Sequence, residues 1–261
     1  EHHMSHTLSA LYYHNSPCVS LVVDGFGDQF CTSIHHVINE NNIKELWTSE
    51  YPHSIGLFYS AITDYLGFAV NEGEYKVMGF AAFGKPIYYE ELQKTIKLED
   101  DKLILDTKYY DFVRSTQNSY SKTLQDIFKL PPRESHLPLE IGDKNFNEYA
   151  NIAASAQKVT ENLLEKLMRL AYKLSGEKKF LLSGGVAMNS SALRKLGRLE
   201  FVDEINIPPS PGDSGACIGA AYFGYIKDNP KNAYTVSAKL YPGLSKSNDD
   251  FYENILKKIA D

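Results

Sequence analysis

The pattern of apolar and polar residues over positions 17–66 predicts three strands followed by a helix. Residues 17–24 form a short β-branched run that ends at Asp-Gly, which predicts a buried strand. Residues 29–38 and 42–49 predict two further strands joined by a polar turn. Residues 54–66 carry apolar side chains at helical spacing behind a serine N-cap. The pattern therefore predicts a three-stranded meander and one helix.

The second half of the chain alternates helix and strand. Residues 147–174 predict a long amphipathic helix, which a Ser-Gly pair ends. Residues 179–182 predict a buried strand, 189–196 a helix, 201–207 a strand and 213–226 a helix rich in small residues. The order is β-β-β-α, an insertion, and then α-β-α-β-α.

This order of elements predicts an α/β fold with a mixed sheet and flanking helices. Residues 80–145 are polar, irregular and rich in Tyr and Lys, and we expect a helical insertion there. The element order resembles the ribonuclease-H-like lobe of the actin, sugar-kinase and heat-shock ATPase superfamily. That superfamily binds nucleotides between two such lobes, and the pattern accounts for one.

Composition narrows the classes of function. The chain has 261 residues, of which 43% are hydrophobic and 23% charged, as in ordinary globular proteins. A net charge of -6 argues against a nucleic-acid partner. Three cysteines without a CxxC motif favour a reducing compartment, and we expect a cytoplasmic protein. The longest apolar stretch, 216–226, is too short for a bilayer span of roughly 20 residues, so we expect no membrane partner.

Two glycine-containing loops follow predicted strands. Asp24-Gly25-Phe26-Gly27-Asp28 allows close approach of backbone to a phosphate, with an aspartate beside it for a cation; a plain hairpin turn is the alternative. Residues 183–189, with Gly184, Gly185 and Asn189, form a strand-to-helix junction that suits an anion. This loop has neither the GKS/T nor the GxGxxG pattern.

Three weaker signals remain. His2 and His6 are four residues apart, which on a helix gives a two-histidine metal clamp; a purification-tag scar is the alternative. Asp213 follows a proline-rich loop that ends at Gly212, and a helix cap alone would explain it. Residues 72–79 on their own predict a solvated loop.

Taken together, six segments resemble the O-carbamoyltransferases of the nodulation-protein and antibiotic-tailoring type. They are EHHMSHTLSALYYHNSP, VVDGFGD, YPHSIGLFYSAITDYLGF, EGEYKVMGFAAFG, LSGGVAMNSSALRKL and IPPSPGDSGACIGAAYFG, and they occur in the family's order over nearly the whole chain. The resemblance implies transfer of a carbamoyl group from carbamoyl-adenylate, made from ATP and carbamoyl phosphate, to a hydroxyl of a small acceptor.

The resemblance also implies roles for particular residues. His2, His6 and Asp213 would hold a divalent metal, iron(II) by preference, with manganese, zinc and magnesium as alternatives. Asp24 would place a further carboxylate near metal and phosphate, and His3 is the candidate general base. The nucleotide would be lined by seven residues: Gly184, Gly185, Asn189, Gly212, Ser60, Glu72 and Lys76.

The same resemblance predicts a division of the chain. Residues 1–16 would be a metal-binding helical segment, 17–235 the lobe, and 236–261 the start of a connection to a C-terminal adenylate-forming domain. Family members carry a first lobe ahead of the HHxxH segment, so this chain resembles a fragment whose partners include both missing parts. Two alternatives stay open: an enzyme like the tRNA threonylcarbamoyl transferases, and a nucleotide-binding module without catalysis.

Overall fold

The computed structural model describes residues 1–136 and 139–229. The expectation for 236–261, and the end of the proposed lobe at 235, lie outside these residues. The helices are α1 (His2–Leu11), α2 (Ile55–Tyr65), α3 (Glu74–Phe80), α4 (Tyr89–Leu92), α5 (Lys122–Phe128), α6 (Phe146–Ser175), α7 (Ser190–Leu196) and α8 (Asp213–Asp228). The strands are β1 (Cys18–Gly27), β2 (Phe30–Asn39), β3 (Asn42–Glu50), β4 (Ile96–Glu99), β5 (Lys102–Leu105), β6 (Lys179–Ser183) and β7 (Glu204–Asn206).

Five strands form one mixed sheet in the order β3-β2-β1-β6-β7. The first three are the antiparallel meander, and β6 and β7 run parallel to β1. Strand β1 is the central strand, with β2 on one edge and β6 on the other, and its apolar run is buried on both faces of the sheet. The predicted α/β fold with a mixed sheet and flanking helices is confirmed; the ribonuclease-H-like assignment stays a prediction.

Helices cover both faces of the sheet. Alternate β1 residues, Val19 and Leu21 among them, pack with α2 and α6 in the main core. The opposite face carries a second apolar cluster that includes Leu8 of α1 and Tyr222 of α8. Among the described residues, no helix is long and apolar enough to cross a bilayer.

The insertion at 80–145 is not purely helical, which corrects the sequence-based expectation. Strands β4 and β5 form a two-stranded antiparallel sheet between short helices. Their residues alternate buried and exposed side chains at the period of a strand. Asp100 and Asp101 between them both adopt positive φ, as a tight hairpin turn requires. The alternation covers only four residues in each strand and lies in a mostly polar segment, so it gives a weak signal in the sequence.

The close packing of α1 on α8 depends on Gly219. A Cβ at this position would lie 1.8 Å from the carbonyl oxygen of Ser5 and 2.6 Å from the backbone nitrogen of Ser9. Only glycine allows the two helix backbones to approach this closely. The packing matters because each helix carries a predicted metal ligand at its N-terminal end.

Gly219→Ala should therefore lower the free energy of unfolding by about 1–3 kcal/mol, the range for overpacking. Gly224→Ala is the matched control, because it also replaces a glycine of α8 but its Cβ would meet nothing within 4 Å. Urea unfolding should show the control unchanged or more stable by about 0.5–1 kcal/mol. Equal stability of the two variants would contradict the inferred close contact.

Candidate metal centre

Asp24 lies where β1 departs from regular pairing. The ladder between β1 and β2 is broken between Val23 and Gly27, and such bulges re-aim side chains. The carboxylate is largely buried, and its Oδ1 accepts a hydrogen bond of 3.0 Å from the backbone N–H of Gly185. Gly184 permits this approach, because its φ is +87° and a Cβ would lie 2.3 Å from the Val23 carbonyl oxygen.

Helix α1 brings two imidazoles to the other side of this carboxylate. The Nε2 atoms of His2 and His6 are 3.0 Å apart, and they lie 3.2 and 3.5 Å from Asp24 Oδ2. Gly27 makes room for His2, since a Cβ there would lie 2.0 Å from the imidazole Cδ2. Asp28 accepts a 2.8 Å hydrogen bond from the backbone N–H of His2 and so anchors the first turn.

Asp213 completes the group from the first residue of α8. Its Oδ1 lies 3.3 Å from Nε2 of His2 and 3.3 Å from Nε2 of His6. One ligand atom from each of His2, His6, Asp24 and Asp213 lies within 4.8 Å of all the others. The structure thus brings together all three predicted metal ligands and adds Asp24 as a fourth.

This donor set fits a divalent cation. Ligands held about 2.1 Å from a metal lie about 3.0 Å apart in octahedral and about 3.4 Å apart in tetrahedral geometry. The ring-nitrogen and carboxylate separations of 3.0–3.5 Å fall at these values. Two imidazoles with two carboxylates are the ligands that iron(II), manganese and zinc share. The residues present would also neutralise the cation, since both carboxylates converge on it.

The surroundings keep Asp24 ionised. Burial by itself would raise the pKa of this carboxyl, but hydrogen bonds with His6, with the Gly185 N–H and with His2 outweigh it and hold the pKa well below its usual range. A carboxylate that stays charged while largely buried is the state that a metal ligand requires.

His3 lies on the same helix but outside the four-residue group. Its Nδ1 is 2.8 Å from the hydroxyl of Ser33 on β2, and its ring is buried. Burial is the largest cause that lowers the pKa of His3 to about 4, so its imidazole is neutral at pH 7. Its Nε2 is buried and has no hydrogen-bond partner among the described residues.

Asn189 is engaged in structural contacts. Its side chain exchanges two 2.9 Å hydrogen bonds with the amide of Gln157 on α6, and its Oδ1 also caps α7 at the Ala192 N–H. Gly212 lies beside the glycine loop, since its Cβ would be 3.9 Å from the Gly185 Cα. The neighbouring Pro211 carbonyl accepts from the Gly184 N–H at 2.8 Å.

The three residues expected around the nucleoside lie on or near α2 and α3. Ser60 donates a 2.9 Å hydrogen bond to Glu74, while Glu72 and Lys76 are exposed. The segment 72–79, which alone predicted a solvated loop, forms most of α3, with Val77 buried. The structure does not bring these three residues into the metal group.

Sequence reasoning missed two supporting residues. Gln157 fixes Asn189, but a glutamine inside a long amphipathic helix gives no signal for a contact with another segment. Asp28 anchors α1 by accepting a hydrogen bond from the His2 N–H. Its position in the Asp-Gly-Phe-Gly-Asp loop is the sequence feature that could have suggested a supporting role. The buried Cys31 offers no nucleophile, because burial raises the pKa of its thiol to about 12.

The fold and this site define an α/β protein with a two-histidine, two-carboxylate group at the carboxyl end of its central strand. The family profile described as Carbamoyltransferase N-terminus matches residues 1–222. The chain therefore belongs to the Carbamoyltransferase N-terminus family.

Relatives from several organisms are similar to this chain. An uncharacterized protein of Synechocystis sp. is 37% identical over 85% of this chain and 35% of its own length. The nodulation protein NolNO of Sinorhizobium fredii is 29% identical over 84% of this chain and 30% of its own. The nodulation protein NolO of Bradyrhizobium diazoefficiens is 28% identical over 84% and 37%. The chain spans about a third of the length of these relatives.

Asp213→Asn should weaken binding of Mn²⁺ or Zn²⁺ at least tenfold, because an amide oxygen replaces a charged ligand. The Asp213 side chain is 73% exposed, so the fold should tolerate this change. Asp203→Asn, at an exposed aspartate outside the group, is the control. Isothermal titration should show one bound equivalent in the parent and the control. An affinity in Asp213→Asn equal to that of the control would rule out this ligand.

Proposed function

We propose that the complete protein transfers a carbamoyl group from carbamoyl-adenylate to a hydroxyl of a small, sugar-like or natural-product acceptor. The observation that supports this proposal most strongly is the convergence of four side chains in a chain of the Carbamoyltransferase N-terminus family: His2, His6, Asp24 and Asp213. The similarity to two nodulation proteins, together with the family match, supports carbamoyl transfer as the general reaction. Carbamoyl-adenylate would form from ATP and carbamoyl phosphate in the rest of the polypeptide, which also supplies the other lobe.

The four-residue group would hold a divalent cation, with iron(II) proposed first. When bound, such a cation supplies Lewis-acid polarisation of carbamoyl or phosphate oxygens. Three elements would hold it: α1 supplies both imidazoles on one face, β1 supplies the buried carboxylate, and α8 supplies the exposed one.

The leaving adenylate carries negative charge, and we assign its stabilisation to two features beside Asp213. The first turn of the 16-residue helix α8 presents backbone N–H groups and the positive end of the helix dipole. The loop with Gly184 and Gly185 lies next to Gly212 and lets the backbone approach the nucleotide closely. The Gly185 N–H itself is occupied by Asp24, so this loop acts through its shape.

The proton of the acceptor hydroxyl requires an acceptor, for which we propose His3. His3 is neutral at pH 7 and so able to accept a proton, although a pKa of about 4 makes it a weak base. Asp24, whose pKa is held well below its usual range, is proposed as the further carboxylate beside the cation and the phosphate. Ser60, Glu72 and Lys76, on or beside α2 and α3, are proposed to line the nucleoside, with Asn189 fixing the end of the glycine loop.

In the complete protein, His6→Ala should abolish carbamoyl transfer and leave formation of carbamoyl-adenylate intact, because only the transfer centre loses a ligand. His136→Ala, at a 73%-exposed histidine outside the group, is the control and should keep both activities. Mass spectrometry of the acceptor and measurement of pyrophosphate release report the two steps separately. Transfer retained in His6→Ala would contradict the assignment of the transfer centre.

A nucleotide titration and an assay of the carbamoylated products together separate this function from the two alternatives. Tight adenylate binding by the complete protein without turnover on any hydroxyl acceptor would favour a nucleotide-binding module. Carbamoylation or threonylcarbamoylation of tRNA, with no product on small acceptors, would favour an enzyme like the tRNA threonylcarbamoyl transferases.

A further inference from the structure

Buried polar side chains lie between helix α1 and the sheet. Thr7 of α1, Ser20 of β1 and His35 of β2 are all buried. The hydroxyl oxygen of Thr7 lies 3.0 Å from the hydroxyl oxygen of Ser20 and 3.0 Å from Nδ1 of His35. Ser20 and His35 are direct partners across the β1–β2 ladder. The Thr7 side chain therefore binds both strands at one position of the sheet.

A second buried contact lies one helical turn earlier. His3 precedes Thr7 by four residues, and Nδ1 of its imidazole lies 2.8 Å from the hydroxyl oxygen of Ser33. Ser33 precedes His35 by two residues on β2. Two hydrogen-bonding residues of the helix thus meet two residues of the strand, in the same order along both segments.

The spacing of these residues matches between the helix and the strand. Four residues of an α-helix rise about 6.0 Å, and two residues of a β-strand rise about 6.6 Å. Side chains four residues apart share one face of a helix, and side chains two residues apart share one face of a strand. A shift of α1 by one residue would turn the helix by about 100° and break both contacts. The two contacts therefore select one register of α1 on the sheet.

These hydrogen bonds give α1 a direction that its apolar contacts do not. Burial lowers the pKa of His35 to about 4, so its imidazole is neutral at pH 7 and has one donor and one acceptor nitrogen. A hydroxyl donates and accepts at once, so Thr7 satisfies Ser20 and His35 together. Apolar burial, as at Leu8, is not directional, whereas a buried polar group that loses its partner is costly. Buried polar contacts are one means by which proteins fix a register.

The histidines of the metal group have the same spacing on α1. His2 and His6 each lie one residue before His3 and Thr7, so their face is rotated by about 100° from the polar contacts. In the observed register, Nε2 of His2 and Nε2 of His6 lie 3.2 and 3.5 Å from Oδ2 of Asp24. Any contact that fixes the rotation of α1 therefore also fixes the direction of both imidazoles.

We define the register lock as the five polar residues that join α1 to the sheet: His3, Thr7, Ser20, Ser33 and His35. We propose that this lock fixes the rotation of α1 and so positions the imidazoles of His2 and His6 for metal binding. Thr7 is the central positioning residue, because it binds both strands. His3 takes part through Nδ1, which leaves Nε2 for the proposed proton transfer. The metal-positioning part rests on the proposed function, in which the four-residue group holds a cation.

The test is isothermal titration of the complete protein with Zn²⁺, with circular dichroism to confirm folding. Thr7→Val keeps the shape of the side chain and removes the hydroxyl. It should weaken Zn²⁺ binding about tenfold or more, as the loss of a group that orients metal ligands does. Thr7→Ser keeps the hydroxyl and should restore binding to within about threefold of the wild type.

Thr160→Val is the matched control. It makes the same change at a buried threonine of helix α6, whose hydroxyl has no hydrogen-bond partner among the described residues. Its Zn²⁺ affinity should equal that of the wild type. A role of Thr7 in packing alone predicts the opposite order, because valine fills the space of threonine and serine does not.

Hydrogen exchange of the metal-free protein is the second readout. In Thr7→Val the backbone amides of residues 2–11 should exchange faster than in the wild type, because α1 loses its directional contact with both strands. In Thr160→Val these amides should exchange at the wild-type rate. Mass spectrometry of the N-terminal peptides reports the difference.

The proposal is overturned if Thr7→Val binds Zn²⁺ as tightly as the wild type, or if Thr7→Ser loses as much affinity as Thr7→Val. Wild-type exchange of α1 in Thr7→Val would also overturn it. If Thr7→Val does not fold, Ser20→Ala and Ser33→Ala decide, since each removes one hydrogen bond from the strand side. Both should weaken Zn²⁺ binding, and wild-type affinity in both would overturn the proposal.

The register lock and the metal centre fail in different ways. A wild type that binds no Zn²⁺, with faster exchange of α1 in Thr7→Val alone, would contradict the metal centre and support the lock. Zn²⁺ binding that depends on Asp213 but is the same in Thr7→Val and the wild type would contradict only the lock.

Discussion

The site depends on the carboxylate of Asp24, because its contacts join three segments that are far apart in the sequence: β1, the loop after β6, and α1. One oxygen accepts from the Gly185 N–H after β6, and the other faces the imidazoles of His2 and His6 on α1. Its own backbone lies at the interruption of the β1–β2 ladder, near the carboxyl end of the central strand. A charged group can remain buried there only because hydrogen bonds and the facing imidazoles offset its desolvation.

Close backbone contacts make this convergence geometrically possible. Gly184 lets the glycine loop approach β1, Gly27 leaves room for the His2 ring, and Gly219 brings α8 onto α1 so that Asp213 reaches the imidazoles. A Cβ at any of the three positions would overlap with neighbouring atoms. Gly27 and Gly219 each set the distance between two elements that carry candidate ligands, and Gly184 sets the distance from β1 to the loop whose Gly185 N–H binds Asp24.

The periodicity of apolar residues predicted much of the fold, whereas the sequence predicted the candidate metal site only in part. The meander, the long helix α6 and the strand β6 have strong apolar patterns, and their predicted bounds agree with the structure within a few residues. The i,i+4 spacing of His2 and His6 is a local pattern, so the sequence alone predicted that both imidazoles lie on one face of a helix. The contact of Asp213 with them was not, because it depends on helix packing across more than 200 residues, and it entered only through family resemblance. The hairpin β4–β5 was not predicted, because its alternation covers only four residues in each strand and lies in a mostly polar segment.

X-ray absorption spectroscopy of the protein loaded with one equivalent of zinc tests the four-residue ligand set, because it reports the ligand types around the ion. We predict a shell of nitrogen and oxygen atoms at about 2.0–2.2 Å, with the multiple scattering of two imidazoles and no sulfur. His6→Ala should remove the signal of one imidazole. A sulfur shell at about 2.3 Å, or a spectrum of oxygen ligands alone without imidazole scattering, would contradict a centre built from His2, His6, Asp24 and Asp213.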